Sequence, residues 1–284
     1  MKFNLLQRLH LASPFTEIVS PSISHHKKSQ SSPIMSSPST VLVTGSNKGI
    51  GKALLALYLA RPSTTAIALI RDPDHSTSQS LPSLPMGKGS KLIVLQYDAS
   101  IPESAKSAVS TLESSHNITH LDIVVANSGI LGRHGPSTTA TQQDFLDPFI
   151  TNTLGAIFLF SATQPLLEKS SNPKFFTVSS SMGSNGQLEA YAPMPMMPYS
   201  ISKAAVNFAM RKLHFEFPQI VVIPLQPGWV QTDMGGKAAE VAGVKEGAPV
   251  TIEQSVTGLA KLIDSATRET SGRFWAYDGK EIPW

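Results

Sequence analysis

The chain has no cysteine among its 284 residues. That removes disulfides, thiolate nucleophiles and every cysteine-ligated zinc or iron–sulfur centre together, and it fits a reducing compartment. No helix is read as carrying a His-x-x-x-His pair, so no metal site is indicated. Charge is sparse, with Asp, Glu, Lys and Arg at 15% of residues. The net +3 sits in residues 1–39, where Lys2, Arg8, Lys27 and Lys28 face only Glu17, leaving 19 basic and 19 acidic residues beyond. A neutral body carries no electrostatic footprint for nucleic acid. No apolar run approaches the length needed to cross a bilayer, so neither a membrane span nor a membrane partner is expected.

What is present suits a globular domain. Apolar residues make up 41%, and a chain of this length can bury one large core. Residues 1–39, rich in Ser, Pro and His, read as a flexible extension. Two origins stay open for it. MKFNLLQRLHLASPF resembles a basic amphipathic targeting stretch, whereas Met35 opens MSSPSTVLVTG as a natural start would. From residue 40 onward, short strands that are apolar throughout alternate with helix-length segments. The strands are read at 40–44, 65–70, 91–97, 121–127, 174–180, 220–226 and 273–277. Helices are read at 49–61, 102–115, 142–169, 199–217 and 251–266. This pattern predicts an α/β domain over residues 40–284, a doubly wound parallel sheet of the Rossmann type with helices on both faces.

The first strand runs into TGSNKGIG, with glycines at 45, 49 and 51. Gly45 permits a sharp strand-to-helix turn, Gly49 lets backbone approach a pyrophosphate, and Gly51 allows close helix–sheet packing. The following helix then directs its N-terminal dipole at the phosphates. Arg71 closes the second strand 20 residues beyond Gly51, where NAD enzymes place an acid, and Lys48 lies in the glycine loop. Two cations there suit a ribose 2′-phosphate, and hence NADP(H). Asp72 follows Arg71 and reads as a turn residue before Pro73.

Taken in order, these and later motifs resemble the classical short-chain dehydrogenases/reductases. The series is TGSNKGIG, Asp98 ending the third strand, ANSG (126–129), Asn152 in NTLG, SSSMG (179–183), YSISK (199–203) and PGWVQT (227–232). SSSMGS, PGWVQTDMGG and the ending YDGKEIPW look closest to sniffer-type carbonyl reductases and the C-factor group, and fungal polyketide ketoreductases are also similar. The resemblance implies catalytic roles for Asn152, Ser180, Tyr199 and Lys203. It implies cofactor contacts from Gly45, Ser46, Asn47, Lys48, Gly49, Ile50 and Gly51, from Asp98 at the adenine, and from Asn127 and Gly129. Lys203 is implied at the nicotinamide ribose beside Tyr199, Val230 at the carboxamide and Thr232 at the phosphates, with Pro227 and Gly228 shaping the turn.

Residues four apart share one helical face, so Tyr199 and Lys203 point into one cleft. A nearby ammonium is expected to lower the tyrosine pKa, and Tyr199 then exchanges a proton with the substrate oxygen. Ser180, three residues before Gly183, is expected to orient that oxygen. By resemblance Asn152 binds a relay water; otherwise it is a helix-packing amide. Tyr191, Met194, Met196 and Met197 offer an adaptable apolar wall. Trp229, Met234 and segment 235–249 offer a mobile lid.

The expected function is NADP(H)-dependent reduction of a neutral, moderately hydrophobic carbonyl compound, or the reverse oxidation. An NAD-dependent alcohol dehydrogenase and a non-catalytic NADPH-binding regulator are the alternatives. A homo-oligomer, dimer or tetramer, is expected. So is a cytoplasmic location, or a mitochondrial one if residues 1–34 are a genuine targeting peptide.

Overall fold

Val41 and Val43 pack on one side of the first strand, while Leu42 packs on the other. The same division holds for Ala66 and Ala68 against Ile67 and Leu69, and for Val125 against Val124. Side chains alternate across a strand, so strands that are apolar at every position need a layer of helices on each face. The computed structural model, which describes residues 39–284, has that architecture. The expected N-terminal extension lies outside the described residues, apart from Ser39, which opens the first strand one position earlier than read.

The strands are β1 (Ser39–Thr44), β2 (Thr64–Ile70), β3 (Lys91–Gln96), β4 (Ile123–Ala126), β5 (Lys174–Val178), β6 (Val221–Gln226), β7 (Phe274–Ala276) and β8 (Glu281–Ile282). They form one sheet in the order β3-β2-β1-β4-β5-β6-β7-β8. All neighbours run parallel except the final β7–β8 pair. The order reverses beside β1, so the carboxyl ends of β1 and β4 open a crevice of the kind that holds ligands in such sheets.

Among the described residues the helices are α1 (Gly49–Leu59), α2 (Ser76–Gln79), α3 (Pro102–His116), α4 (Gln142–Pro148), α5 (Gly155–Leu167), α6 (Leu188–Tyr191), α7 (Met197–Glu216), α8 (Asp233–Ala242) and α9 (Ile252–Ser265). Leu54, Tyr58, Leu259 and Ile263 of α1 and α9 cover one face. Leu112, Phe160, Val206 and Met210 of α3, α5 and α7 cover the other. Each such side chain, fully buried, contributes about 1.5–3 kcal/mol. His116 and His120 stand four apart, but α3 ends at His116 and Asn117 turns left-handed, with φ 54°. They therefore do not share a helical face.

Residues 142–167 form one rod with an irregular centre. A capping box between Thr141 and Asp144 starts it, and Pro148 leads into a wide π-helical turn, Phe149–Leu154. This 26-residue rod contains an 18-residue window of mean hydropathy 1.3 and so, by length and composition, could cross a membrane, which departs from the reading that no stretch would. Its Leu159, Phe160, Leu166 and Leu167 lie in the core of the domain. The rod is a core helix here. Its wide turn carries Asn152, and such turns are frequent at functional sites.

Candidate active site

Gly183 explains how α7 reaches the end of β5. A Cβ there would lie 2.5 Å from the Lys203 carbonyl carbon and 2.6 Å from the Ala204 nitrogen. Only a glycine lets α7 lie directly on the SSSMG turn, and that contact sets Tyr199 and Lys203 beside it. Gly129 does the same from β4. A Cβ at Gly129 would stand 3.1 Å from Asn152 Oδ1 and 3.7 Å from Lys203 Nζ. The ends of β4 and β5, the helix α7 and the wide turn thus meet at one place.

The three consecutive serines are separated by their partners. Ser179 Oγ donates to Asn207 Oδ1 at 2.6 Å within the core. Ser181 Oγ donates to Tyr191 Oη at 2.6 Å. Ser180 Oγ accepts from Met182 N at 3.2 Å, and it is the one of the three whose hydroxyl acts on the Tyr199 phenol. Tyr199 is 8% exposed and packs with Leu131 and Met196, with Met182, Met194, Ala238 and Val241 around them.

The expected direction of the tyrosine pKa is reversed. Burial pushes Tyr199 up to about 12, and the Ser180 hydrogen bond pulls only weakly the other way. Lys203 Nζ stands 5.6 Å from the ring centroid and donates to the Val178 carbonyl at 2.8 Å. Burial holds its own pKa down at about 8. At neutral pH the pair is therefore a protonated phenol beside an ammonium, because desolvation exceeds the charge attraction that was expected to dominate.

Asn152 is 2% exposed. Its Oδ1 accepts from Ile130 N at 2.8 Å, and its Nδ2 donates to Ile130 O and Ser202 Oγ, both at 2.9 Å. Both amide hydrogens are engaged, so the side chain fastens the wide turn to the β4 loop and α7. Ser202 completes the link by donating to the Tyr199 carbonyl at 2.7 Å. Sequence reasoning passed over Ser202; a serine inside a helix, bonding back three residues, was the available sign.

The cradle at the end of β1 has the features of a phosphate loop. Gly45 and Gly49 have φ of 62° and 55°, and a Cβ on Gly51 would be 2.4 Å from Asn127 Nδ2. Asn127 donates to Thr44 O at 2.9 Å, tying β4 to β1. Ser46 Oγ is buried with no hydrogen-bond partner in the described residues. Such an orphan is costly unless a ligand satisfies it.

Around the cradle, Asn47 donates to Thr77 Oγ1 at 2.7 Å. Asp72 Oδ1 accepts from Asp74 N at 3.0 Å, the turn role read from sequence. Arg71 is exposed, and its guanidinium makes no bond with the described residues. Asp98 Oδ1 accepts from Ser100 N and Oγ. Lys48 does not stand free: it forms a 2.7 Å ion pair with Asp233 across the cleft.

Of the segment read as a lid, residues 235–242 belong to the helix α8, which ends at Gly243 in the left-handed region. Thr232 caps it by accepting from Gly235 N at 3.1 Å, and Trp229 Nε1 donates to Gly235 O at 2.9 Å. Gly235 belongs there because its Cβ would meet the Val230 carbonyl. Val230 itself bridges to Val250. Gly228, at φ 87°, lies against the Tyr277 ring, and Pro227 O accepts from Ser255 Oγ at 2.6 Å.

Residues 39–242 match the short chain dehydrogenase family. The chain belongs to that family. It is 42% identical over 249 residues to norsolorinic acid ketoreductase nor1 of Dothistroma septosporum, covering 86% of this chain and 92% of that one. NADPH-bound carbonyl reductase from chicken fatty liver superposes with a TM-score of 0.77 at 29% identity, over 87% of this chain and 99% of that one. Carbonyl reductase Sniffer of D. melanogaster gives 0.74 at 25% identity, over 87% and 100%. This short-chain dehydrogenase is therefore an oxidoreductase, and its glycine cradle with the orphan Ser46 fits the nicotinamide dinucleotide of the family.

Met194 and Met196 join the apolar wall, whereas Met197 is 47% exposed on the first turn of α7. Asp233 and Ser181 were missed, since their roles depend on partners far away in sequence.

Proposed function

We propose that this short-chain dehydrogenase is an NADPH-dependent ketoreductase acting on a neutral, moderately hydrophobic ketone. The observation that carries the reading is Tyr199: buried, adjacent to Ser180, and protonated up to about pH 12. Carbonyl reduction consumes a proton at oxygen, and a phenol that keeps its proton is the acid such a step needs. Bound NADPH supplies the hydride.

The protein's own groups do the rest. Ser180 donates to the carbonyl oxygen and holds it against Tyr199. Tyr199 passes its proton to the forming alkoxide, and the charge left on the phenolate is stabilised by the ammonium of Lys203 and by Ser180. Lys203 is held under the phenol by Val178 O, and Asn152 and Ser202 tie the wide turn to α7, the helix that carries Tyr199 and Lys203. Leu131, Met182, Met194 and Met196 exclude water, and none of them is charged. Arg71 supports the choice of NADPH, since its fork is unengaged while Asp72 is occupied in its turn. Lys48 adds a second cation, shared with Asp233.

The relatives named as ketoreductases and carbonyl reductases support the direction of the reaction. The test is NADPH oxidation, followed by absorbance, with a panel of aryl and alkyl ketones. NADPH that binds tightly while no ketone is reduced would remove the reading. We infer self-association as well. Ile201, Phe208 and Phe215, seven residues apart along α7, are 46%, 75% and 63% exposed. A monomer in sedimentation at micromolar concentration would count against it.

A further inference from the structure

Tyr191 has no part in the proton transfer just described, yet the fold goes to some length to hold its phenol. It ends the short helix α6 in the segment between Ser180 and Tyr199. Its oxygen accepts from Ser181 Oγ at 2.6 Å. Ser181, 3% exposed, in turn accepts from Gln226 Nε2 at 2.7 Å at the end of β6. The geometry of the 2.6 Å contact makes Ser181 its donor and Tyr191 its acceptor. Ser181 can do this while accepting from Gln226, because a hydroxyl oxygen both donates and accepts. The Tyr191 proton is then left over, with no acceptor among the described residues.

The position of that proton matters. Ser180 serves the Tyr199 phenol and Ser181 serves the Tyr191 phenol, and these serines are neighbours, with Cα atoms about 3.8 Å apart. Two phenols are therefore anchored on adjacent residues at the mouth of one β-strand. The segment carrying Tyr191 is fixed from several sides. Gly186 N donates to Trp284 O at 2.8 Å, Gly135 N donates to Pro195 O at 2.8 Å, and Met194 packs against the Tyr199 cluster. Tyr191 itself is only half-buried. A pre-set donor on a fixed segment that also carries Met194 of the apolar wall has what a recognition group requires.

We propose that Tyr191 is a specificity-determining residue. It donates a hydrogen bond to a second oxygen of the substrate, a few bonds from the carbonyl that Tyr199 protonates. The preferred substrate class is thus ketones bearing a neighbouring carbonyl or other oxygen acceptor, rather than isolated ketones. This rests on the ketoreductase reading and deepens it. Gln226 and Ser181 act as positioning residues, since they orient the donor without touching the substrate.

The experiment compares three aryl ketones with NADPH: propiophenone, which has one oxygen, and acetylbenzoyl and benzoylacetone, which have two. Each is measured with wild type, Tyr191→Phe and Ser181→Ala. Loss of one neutral hydrogen bond is worth about two- to tenfold in kcat/KM. Tyr191→Phe should lose that much on at least one diketone while propiophenone changes by less than about twofold, a change too small to count as a lost bond. Ser181→Ala should shift the same ratio in the same direction, and unchanged propiophenone turnover shows that the fold and Tyr199 are intact. Equal losses on all three ketones, or no loss on either diketone, overturns the role of Tyr191 and leaves the ketoreductase reading standing. A wild type that oxidises NADPH with none of the three overturns the reading itself, and this inference with it.

Discussion

Replacing Lys203 with methionine should make the cofactor-free protein more stable at neutral pH, although it removes a proposed catalytic group. Lys203 is 4% exposed, and burial holds its pKa at about 8 against an ordinary 10.5. One pKa unit corresponds to about 1.4 kcal/mol, so keeping the ammonium in the folded protein costs on the order of 3 kcal/mol. The hydrogen bond to Val178 O returns about 1 kcal/mol, leaving a net gain for Lys203→Met of roughly 2 kcal/mol.

The pH dependence distinguishes this from ordinary repacking. Below pH 8 both folded and unfolded chains carry the proton, and the full cost is present. Between about 8 and 10.5 the unfolded chain holds a proton that the folded one has released, so wild-type stability rises with pH. Lys174, also lowered by burial, contributes the same sign to both proteins and cancels in the difference. Urea unfolding of wild type and Lys203→Met at a series of pH values from neutral upward is the assay. The variant should lead at pH 7, with its advantage shrinking as the pH passes 8. A variant less stable at pH 7, or an advantage that does not change with pH, would refute the claim that a buried charge lies under Tyr199.

Other outcomes follow from the same contacts. Gly183→Ala puts a methyl 2.5 Å from the Lys203 carbonyl carbon; it should cost about 1–3 kcal/mol in thermal unfolding and lower kcat by moving α7 off Ser180. Arg71→Ala should weaken NADPH by about one to two decades in kcat/KM while sparing NADH. Lys48→Ala should shift that ratio less, because Lys48 already shares its charge with Asp233; a wild type preferring NADH would remove the NADP assignment. In the reducing direction, kcat/KM should fall as pH rises through about 8, where free Lys203 loses its proton. A profile flat to pH 10 would detach Lys203 from catalysis.

The parts of the fold that could be read from sequence are those set by burial pattern. Runs such as Val41–Val43 and Ala66–Ile70 are apolar on both faces, which a strand covered by helices requires. The glycine loop was legible because Gly45 and Gly49 answer local backbone demands. Other features depend on distant partners and left no local trace. Gly235 and Gly236 argue against a helix by propensity, yet α8 forms, because Gly235 must pass the Val230 carbonyl. Tyr199 and Lys203 were legible as a pair from their spacing, but their protonation was not, since burial arises only when α7, β5 and the apolar wall assemble. Asn152 was found through its motif, while the engagement of both its amide hydrogens emerges only with Ile130 and Ser202 in place.

The most direct test of the account is Tyr199→Phe, which removes one oxygen and its proton from a ring packed among Leu131 and Met196. The phenylalanine keeps the packing, so NADPH affinity, measured by fluorescence titration, should stay within about threefold, less than one ordinary hydrogen bond is worth. General acid catalysis is worth about 10²–10⁴-fold, and the rate of ketone reduction under saturating NADPH should fall by that much. A variant that binds NADPH normally and keeps more than about a tenth of the wild-type rate, well short of that range, would mean that another group delivers the proton, and the proposed active site would be wrong at its centre.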